Sequence, residues 1–157
     1  MGVSPSTKET TLHHFRDPLL ELTRRDPELE LAGVAIVGSP GENSDKDYVA
    51  KRIGMLAEAM NVDGVLIHVE GFGNQHVDFA AHMAEVGRRG IPVVGLTYKG
   101  NGLVVENEYM QDLVDLDKTF QGMETEVVED NGVQAADVIR ALKILKKRIT
   151  IKRRRSL

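Results

Sequence analysis

The residues best suited to chemistry lie in one short stretch, residues 68–78, which reads His-Val-Glu-Gly-Phe-Gly-Asn-Gln-His-Val-Asp. Its two glycines allow a sharp turn past the phenylalanine, and Asn74 tolerates a left-handed backbone. An imidazole such as that of His76 transfers protons near neutral pH, and Glu70 or Asp78 can orient it through a ring nitrogen. The stretch therefore predicts a site in which His76 is catalytic and Asn74 and Asp78 bind substrate.

Two other interpretations of these residues stay open. Asn74 or Asp78 can simply cap the helix that follows. Glu70, His76 and Asp78 can also be combined as a carboxylate–histidine metal site. A helical zinc site needs histidines at i and i+4, and His76 and His82 are six positions apart, so that motif is excluded. We predict no metal, and we expect His82 on the surface.

The elements that must position these residues alternate along the chain. Continuous apolar runs predict strands buried on both faces of a parallel sheet, and they cover residues 31–37, 64–69 and 91–97. Residues 109–116 form either a short helix or a further strand, and their composition favours the strand. Apolar residues at helical spacing predict a short helix from Pro18 and helices over residues 44–60 (capped by Ser44 or Asp45), 77–88 and 134–148. The pattern predicts a single-domain α/β three-layer sandwich with a mostly parallel sheet of about four strands.

Ligands of such sheets bind at the loops that follow the carboxyl ends of the strands. Here these loops are residues 38–45, 70–76 and 98–107. The first is glycine-rich but matches neither phosphate-binding nor dinucleotide-binding motifs, and its Glu42 and Asp45 disfavour a phosphate, so we expect no nucleotide cofactor. In the third, Lys99 is either a substrate-binding cation for a carboxylate or a solvated surface residue.

Charge divides the chain into unequal parts. Eight cations and no acid follow from Lys143 onward, which leaves 12 basic against 24 acidic residues before it. We predict an N-terminal lead with a short helix (1–30), an α/β domain (31–148) and a basic tail (149–157). The tail can stabilise a helix end, dock on an acidic partner or bind nucleic acid. No aromatic residues interleave with its cations to stack on bases, so we do not expect nucleic acid.

Composition excludes several classes of protein. Without cysteine the chain has no disulfide, thiolate metal site or cysteine nucleophile. It has no apolar run of the roughly 18 residues that span a membrane, and its first residues lack the apolar stretch of a signal peptide. We therefore expect a cytoplasmic protein that has no contact with a membrane.

Four segments together resemble the D-proline reductase family. They are residues 31–42, 71–79, 90–95 and 109–118, and the most specific is Gly-Phe-Gly-Asn-Gln-His-Val-Asp-Phe at residues 71–79. The chain is similar to the small-subunit part of the family's pyruvoyl-bearing proprotein, or to short accessory proteins related to it. It resembles more distantly the alpha subunit of component B of glycine, sarcosine and betaine reductases.

The resemblance implies reductive cleavage of a C–N bond, which converts D-proline to 5-aminovalerate. In that family a pyruvoyl group formed from a cysteine binds the substrate amine, and a selenocysteine on a partner subunit attacks the α-carbon. The expected place for that cysteine is near residues 10–18, where Leu12 cannot take its role. The chain thus carries no cofactor of its own, and the resemblance implies a selenocysteine-containing partner subunit.

The resemblance also gives the N-terminal lead a role. His13 and His14 can move protons during imine formation, with Arg16 holding a substrate carboxylate, unless the two histidines are exposed and flexible. We expect a subunit or accessory protein of a homo- or hetero-oligomer that acts on a small amino acid of the proline, glycine, sarcosine or betaine type. The alternatives are a non-catalytic assembly or docking protein, and a small-ligand-binding module on the same fold.

Overall fold

The structure is a computed structural model that describes residues 18–69, 73–98, 105–116 and 133–155. Within these ranges the helices are α1 (Pro18–Arg25), α2 (Asn43–Ala59), α3 (Asn74–Gly87) and α4 (Ala135–Arg155). The strands are β1 (Val65–Val69), β2 (Val93–Thr97) and β3 (Leu113–Asp115), and they form a parallel sheet in the order β1-β2-β3. The predicted α/β fold with a parallel sheet is confirmed.

Helices cover both faces of this sheet because successive strand residues point to opposite sides. On one face, Val94 and Leu96 of β2 pack with Val138 and Leu142 of α4. On the other, Val93 packs with side chains of α3. All five residues of β2 are buried, as a central parallel strand requires.

The approach of α3 to the sheet depends on a glycine in the middle of β2. A Cβ atom added at Gly95 would lie 2.3 Å from the ring of Phe79 and 2.7 Å from Leu113. The absence of a side chain at Gly95 therefore lets Phe79, which is 2% exposed, seat its ring directly against the sheet.

One predicted strand is wrong. Residues 31–37 make no ladder with any described strand, and all of them except Leu31 are exposed. The apolar composition of this segment favours an extended chain, but a strand also needs a neighbouring edge to bond with, and composition does not supply one. The strand expected within residues 109–116 is present as the shorter β3.

Helix ends and one histidine also differ from the predictions. Helix α4 continues to Arg155, and cations in a last helical turn suit the helix dipole. Helix α2 follows Glu42 rather than a Ser44 or Asp45 cap, and Glu42 makes no side-chain cap bond. His82 is buried rather than on the surface, because its Nδ1 atom lies 2.5 Å from the carbonyl oxygen of Asp78 one turn earlier.

Across the described residues, no helix has the length and apolarity to cross a membrane.

Candidate functional site

The site begins where the chain leaves β1 and enters α3. Gly73 precedes the helix with a φ of +60°, in the region that favours glycine. It occupies the cap position itself and no side chain caps the helix, so the N-cap interpretation of Asn74 and Asp78 is wrong. Asn74 is instead the first residue of α3 and is exposed, while His76 and Asp78 are buried within its first turns.

A buried ion pair lies beside this helix start. Lys46, near the start of α2, has 1% of its side chain exposed, and its Nζ atom lies 2.6 Å from Oδ2 of Asp78. The same ammonium donates to the hydroxyl of Ser39 at 3.2 Å. Ser39 in turn donates to Oδ2 of Asp78. The three side chains tie the loop after residue 37, the start of α2 and the start of α3 to one point.

This pair carries a large desolvation cost. Removing a lysine and a carboxylate from water costs several kcal/mol per ion, which close pairing and extra hydrogen bonds offset. A buried, paired lysine is therefore seldom found without a structural or functional task. Here the charge of Lys46 balances the charge of Asp78 in a place that water does not reach freely.

His76 lies two residues before Asp78 on α3 and points to a different side of the helix, toward the backbone of Tyr98. It is 1% exposed, and burial lowers its pKa below the ordinary value of about 6.5, although a hydrogen bond with the backbone of Tyr98 partly opposes the shift. The imidazole is therefore neutral at neutral pH. A neutral imidazole has one donor and one acceptor nitrogen, which suits it to proton transfer.

Described parts of the three loop regions predicted to form a ligand site meet the start of α3. Ser39 comes from the first loop, His76 and Asp78 from the helix after the second, and Tyr98 from the end of β2 where the third begins. All lie beyond the carboxyl ends of β1 and β2, where open α/β sheets bind ligands. The convergence follows from the parallel register, which pairs Val69 with Thr97 at this edge.

Two buried oxygens at this edge have unused bonding capacity. Oδ1 of Asp78 and Oγ1 of Thr97 have no hydrogen-bond partner in the part of the chain that the structure describes. Buried polar atoms are nearly always satisfied, by protein, water or ligand. An amine or hydroxyl of a small molecule is suited to either atom.

The structure describes only part of the predicted set. His76 and Asp78 are both buried on α3 but contact different neighbours, Tyr98 and Lys46, and Asn74 is exposed at the start of the helix. His13, His14, Arg16 and Lys99 lie outside the described residues. Sequence reasoning missed Lys46 and Ser39. The buried residues of α2 are Lys46, Ala50, Gly54 and Ala57, whereas larger apolar residues such as Met55 and Leu56 are exposed. Hydrophobic periodicity therefore did not mark the inward face that carries Lys46. No three histidine or acidic side chains in the described ranges are grouped to hold a metal ion.

Comparison with known proteins shows the family. The chain belongs to the family of glycine/sarcosine/betaine reductase component B subunits, whose model matches residues 2–142. It is 47% identical over 146 residues to the D-proline reductase proprotein PrdA of Acetoanaerobium sticklandii, which is 92% of this chain and 23% of that protein. It is 33% identical over 97 residues to the sarcosine reductase complex component B subunit alpha of Peptoclostridium acidaminophilum, which is 60% of this chain and 23% of that protein.

A further relative is the glycine reductase complex component B subunits alpha and beta of A. sticklandii, 30% identical over 97 residues, or 60% of this chain and 23% of that protein. The chain thus spans about a quarter of the length of the curated relatives it matches. No solved structure matches it. The resemblance predicted from the four sequence segments is confirmed.

Proposed function

We propose that this chain is a component of a D-proline reductase-type system, as a subunit or accessory protein in the cytoplasm. The observation that carries the proposal is the 47% identity to a D-proline reductase proprotein over 92% of the chain. Reductive opening of D-proline breaks the bond between nitrogen and the α-carbon. It consumes two electrons and two protons and yields 5-aminovalerate.

The cluster at the carboxyl edge of the sheet fits a small amino acid. Oδ1 of Asp78 is an acceptor suited to the substrate ammonium, and the neutral imidazole of His76 can deliver or accept a proton. The exposed amide of Asn74 lies at the margin of the same site. Arg16, His13, His14 and Lys99 stay predictions, as carboxylate or proton partners from the segments that flank it.

The chain does not fit the role of cofactor donor. A pyruvoyl group of the kind the family uses arises from a cysteine, and this chain has none. In our proposal the carbonyl and the selenol both belong to partner subunits, and this chain contributes binding and proton transfer. Its proposed partners are therefore a selenocysteine-containing reductase subunit, a subunit that carries the carbonyl, and a small amino acid as substrate.

A second function, non-catalytic docking or assembly, is favoured by the same lack of cysteine. The two functions differ at His76. A docking protein needs the buried cluster only for its fold, whereas a reductase component loses turnover when the proton-transferring group is removed while partner binding persists.

The test is anaerobic affinity purification of the tagged chain from its native cell, with mass spectrometry of the bound proteins and an assay of D-proline-dependent 5-aminovalerate formation. Wild type is compared with His76→Gln and with Lys51→Gln, an exposed change on α2. We expect all three to recover a selenocysteine-containing subunit, and His76→Gln to lose about 10²-fold or more of the activity.

Two results would count against the proposal. Recovery of the chain alone, without activity, overturns it as a whole. Full activity in His76→Gln with an intact complex overturns the catalytic part and leaves the docking function.

A further inference from the structure

The outward side of α4 is a surface that the proposed function does not use. The inward side of this helix packs on the sheet through Val138, Ala141, Leu142, Leu145 and Ile149. Opposite these residues lie four exposed cations, which we call the basic line: Arg140, Lys143, Lys147 and Arg154. At about 100° per residue the four fall within an arc of roughly 60°, and they extend along about 21 Å of the helix.

The basic line contains no acidic residue. Asp137 is the one acidic residue of α4, and its Oδ2 atom accepts a hydrogen bond from the backbone N–H of Gln134 at 2.9 Å, at the start of the helix. The exposed positions of α2, by contrast, mix the two signs, as at Asp47, Lys51 and Glu58. Mixed signs are typical of a solvated helix, whereas a face of one sign attracts a partner of the other.

Cations on the two flanks of the basic line contact acids of their own chain. The three ion pairs are Lys146–Asp26, Arg148–Asp112 and Arg153–Asp63. Among the residues that the structure describes, no acidic side chain forms an ion pair with the four cations of the line itself. All four are exposed, so the fold presents their charges to whatever lies outside it.

An apolar side chain lies beside the basic line. Ile139 is 45% exposed and lies one helical turn before Lys143. Protein interfaces combine apolar contact with charged groups around it. This surface therefore fits a partner that can cover an apolar side chain as well as neutralise cations.

Two observations favour an acidic protein over a nucleic acid as that partner. Outside the basic line the chain has 16 basic and 24 acidic residues, so a polyanion longer than the line would meet acid-rich surface. Helix α4 also has no aromatic residue on which bases could stack. Acidic side chains three and four positions apart on a partner helix, by contrast, match the spacing of the line.

We propose that the basic line docks this chain on an acidic surface of a subunit of the reductase system. The inference rests on the proposed function, and two relatives are by name parts of reductase complexes. Opposite charges across an interface speed association and fix its orientation. Because α4 and α3 lie on opposite faces of the sheet, a subunit docked on the line leaves the start of α3, with His76 and Asp78, uncovered.

Cross-linking with a carbodiimide tests the chemistry of this contact. The reagent joins a lysine amine to a carboxylate that touches it, with loss of water, and adds no spacer. In the complex purified with the tagged wild-type chain, we expect amide links from Lys143 and Lys147 to Asp or Glu residues of a reductase subunit, identified by mass spectrometry. Lys51, an exposed lysine on α2, is the control and should form none.

Charge reversal tests the energetic contribution of the line. Lys143→Glu/Lys147→Glu and the control Lys51→Glu/Arg52→Glu change the net charge equally, and all four positions are exposed, so both variants should keep the melting temperature of wild type. We expect reversal on α4 to weaken binding of the purified subunit by about tenfold or more, and the control to change it little. High salt should weaken the binding of wild type and narrow this difference.

The possible outcomes separate this proposal from the proposed function. If wild type recovers no reductase subunit, the proposed function fails and the docking surface fails with it. If a subunit is recovered but binds Lys143→Glu/Lys147→Glu as tightly as wild type, or is cross-linked only through other lysines, the docking surface alone is overturned. Binding of a random-sequence DNA duplex that the reversal abolishes, with subunit binding unchanged, assigns the line to nucleic acid and also overturns the proposal.

Discussion

Two ion pairs of similar length lie in opposite surroundings in this molecule. Lys46 and Asp78 approach to 2.6 Å with 1% and 10% of their side chains exposed. Arg153 and Asp63 approach to 2.9 Å with 67% and 64% exposed. By distance alone, the two ion pairs would be judged equally strong.

Burial separates them. Forming an exposed ion pair exchanges contacts with water for contacts within the protein at little net gain in free energy, and salt screens the pair further. A buried pair has already lost its hydration, so each partner depends on the other. The contrast indicates that the buried pair at the carboxyl edge of the sheet holds the candidate site in place. The exposed pair at the end of α4 contributes little to the position of that helix.

The largest effect is expected from breaking the buried pair on one side. Lys46→Met leaves Asp78 buried without its cation and should lower the free energy of unfolding by about 3–5 kcal/mol, measured by urea denaturation. Lys51→Met, which removes an exposed lysine from the same helix, is the control and should change it little.

The double variant Lys46→Met/Asp78→Leu sharpens this expectation. It removes both charges, so most of the lost stability should return. A single variant as stable as wild type would show that water reaches Asp78 freely, and would remove the contrast between the two pairs.

An intermediate case lies at the C-terminal end of α3. Arg89 donates to Oε2 of Glu85 at 2.7 Å, and its side chain is 19% exposed, while Arg88 reaches the other oxygen at 2.6 Å with 62% of its side chain exposed. Arg89→Met should cost about 1–3 kcal/mol because it leaves a nearly buried carboxylate short of a donor. Arg88→Met, which removes the exposed partner, should cost less.

The pH dependence of this pair has a definite sign. The hydrogen bond from Arg89 is the main reason that the pKa of Glu85 lies below its ordinary value of about 4.5. Its stabilising contribution is present above that value and is lost as the pH falls through the folded-state pKa. In Arg89→Met the acid limb of the stability curve should become shallower. An acid limb identical to that of wild type would contradict the assignment.

Much of this arrangement could be predicted from the sequence, and the exceptions have a common physical cause. Continuous apolar runs correctly located β1 and β2. Residues 31–37 are as apolar as those strands, yet they make no ladder with any described strand, because composition does not supply a neighbouring edge.

The missed Lys46 illustrates the same limit for side chains. A lysine is normally interpreted as solvated, and the other buried residues of α2, such as Ala50 and Gly54, are too small to mark an inward face. Its partner Asp78 is 32 residues away, so the pairing depends on the packing of α2 against α3, which no local pattern encodes.

The smallest effect is expected at the exposed pair that began this comparison. Arg153→Ala removes the 2.9 Å contact with Asp63, and the free energy of unfolding should change by less than about 1 kcal/mol, falling toward zero in 1 M salt. The measurement is paired urea titrations at low and high salt. A loss as large as that of Lys46→Met would mean that the end of α4 is held to the sheet by this contact, and that burial does not decide which ion pair stabilises this fold.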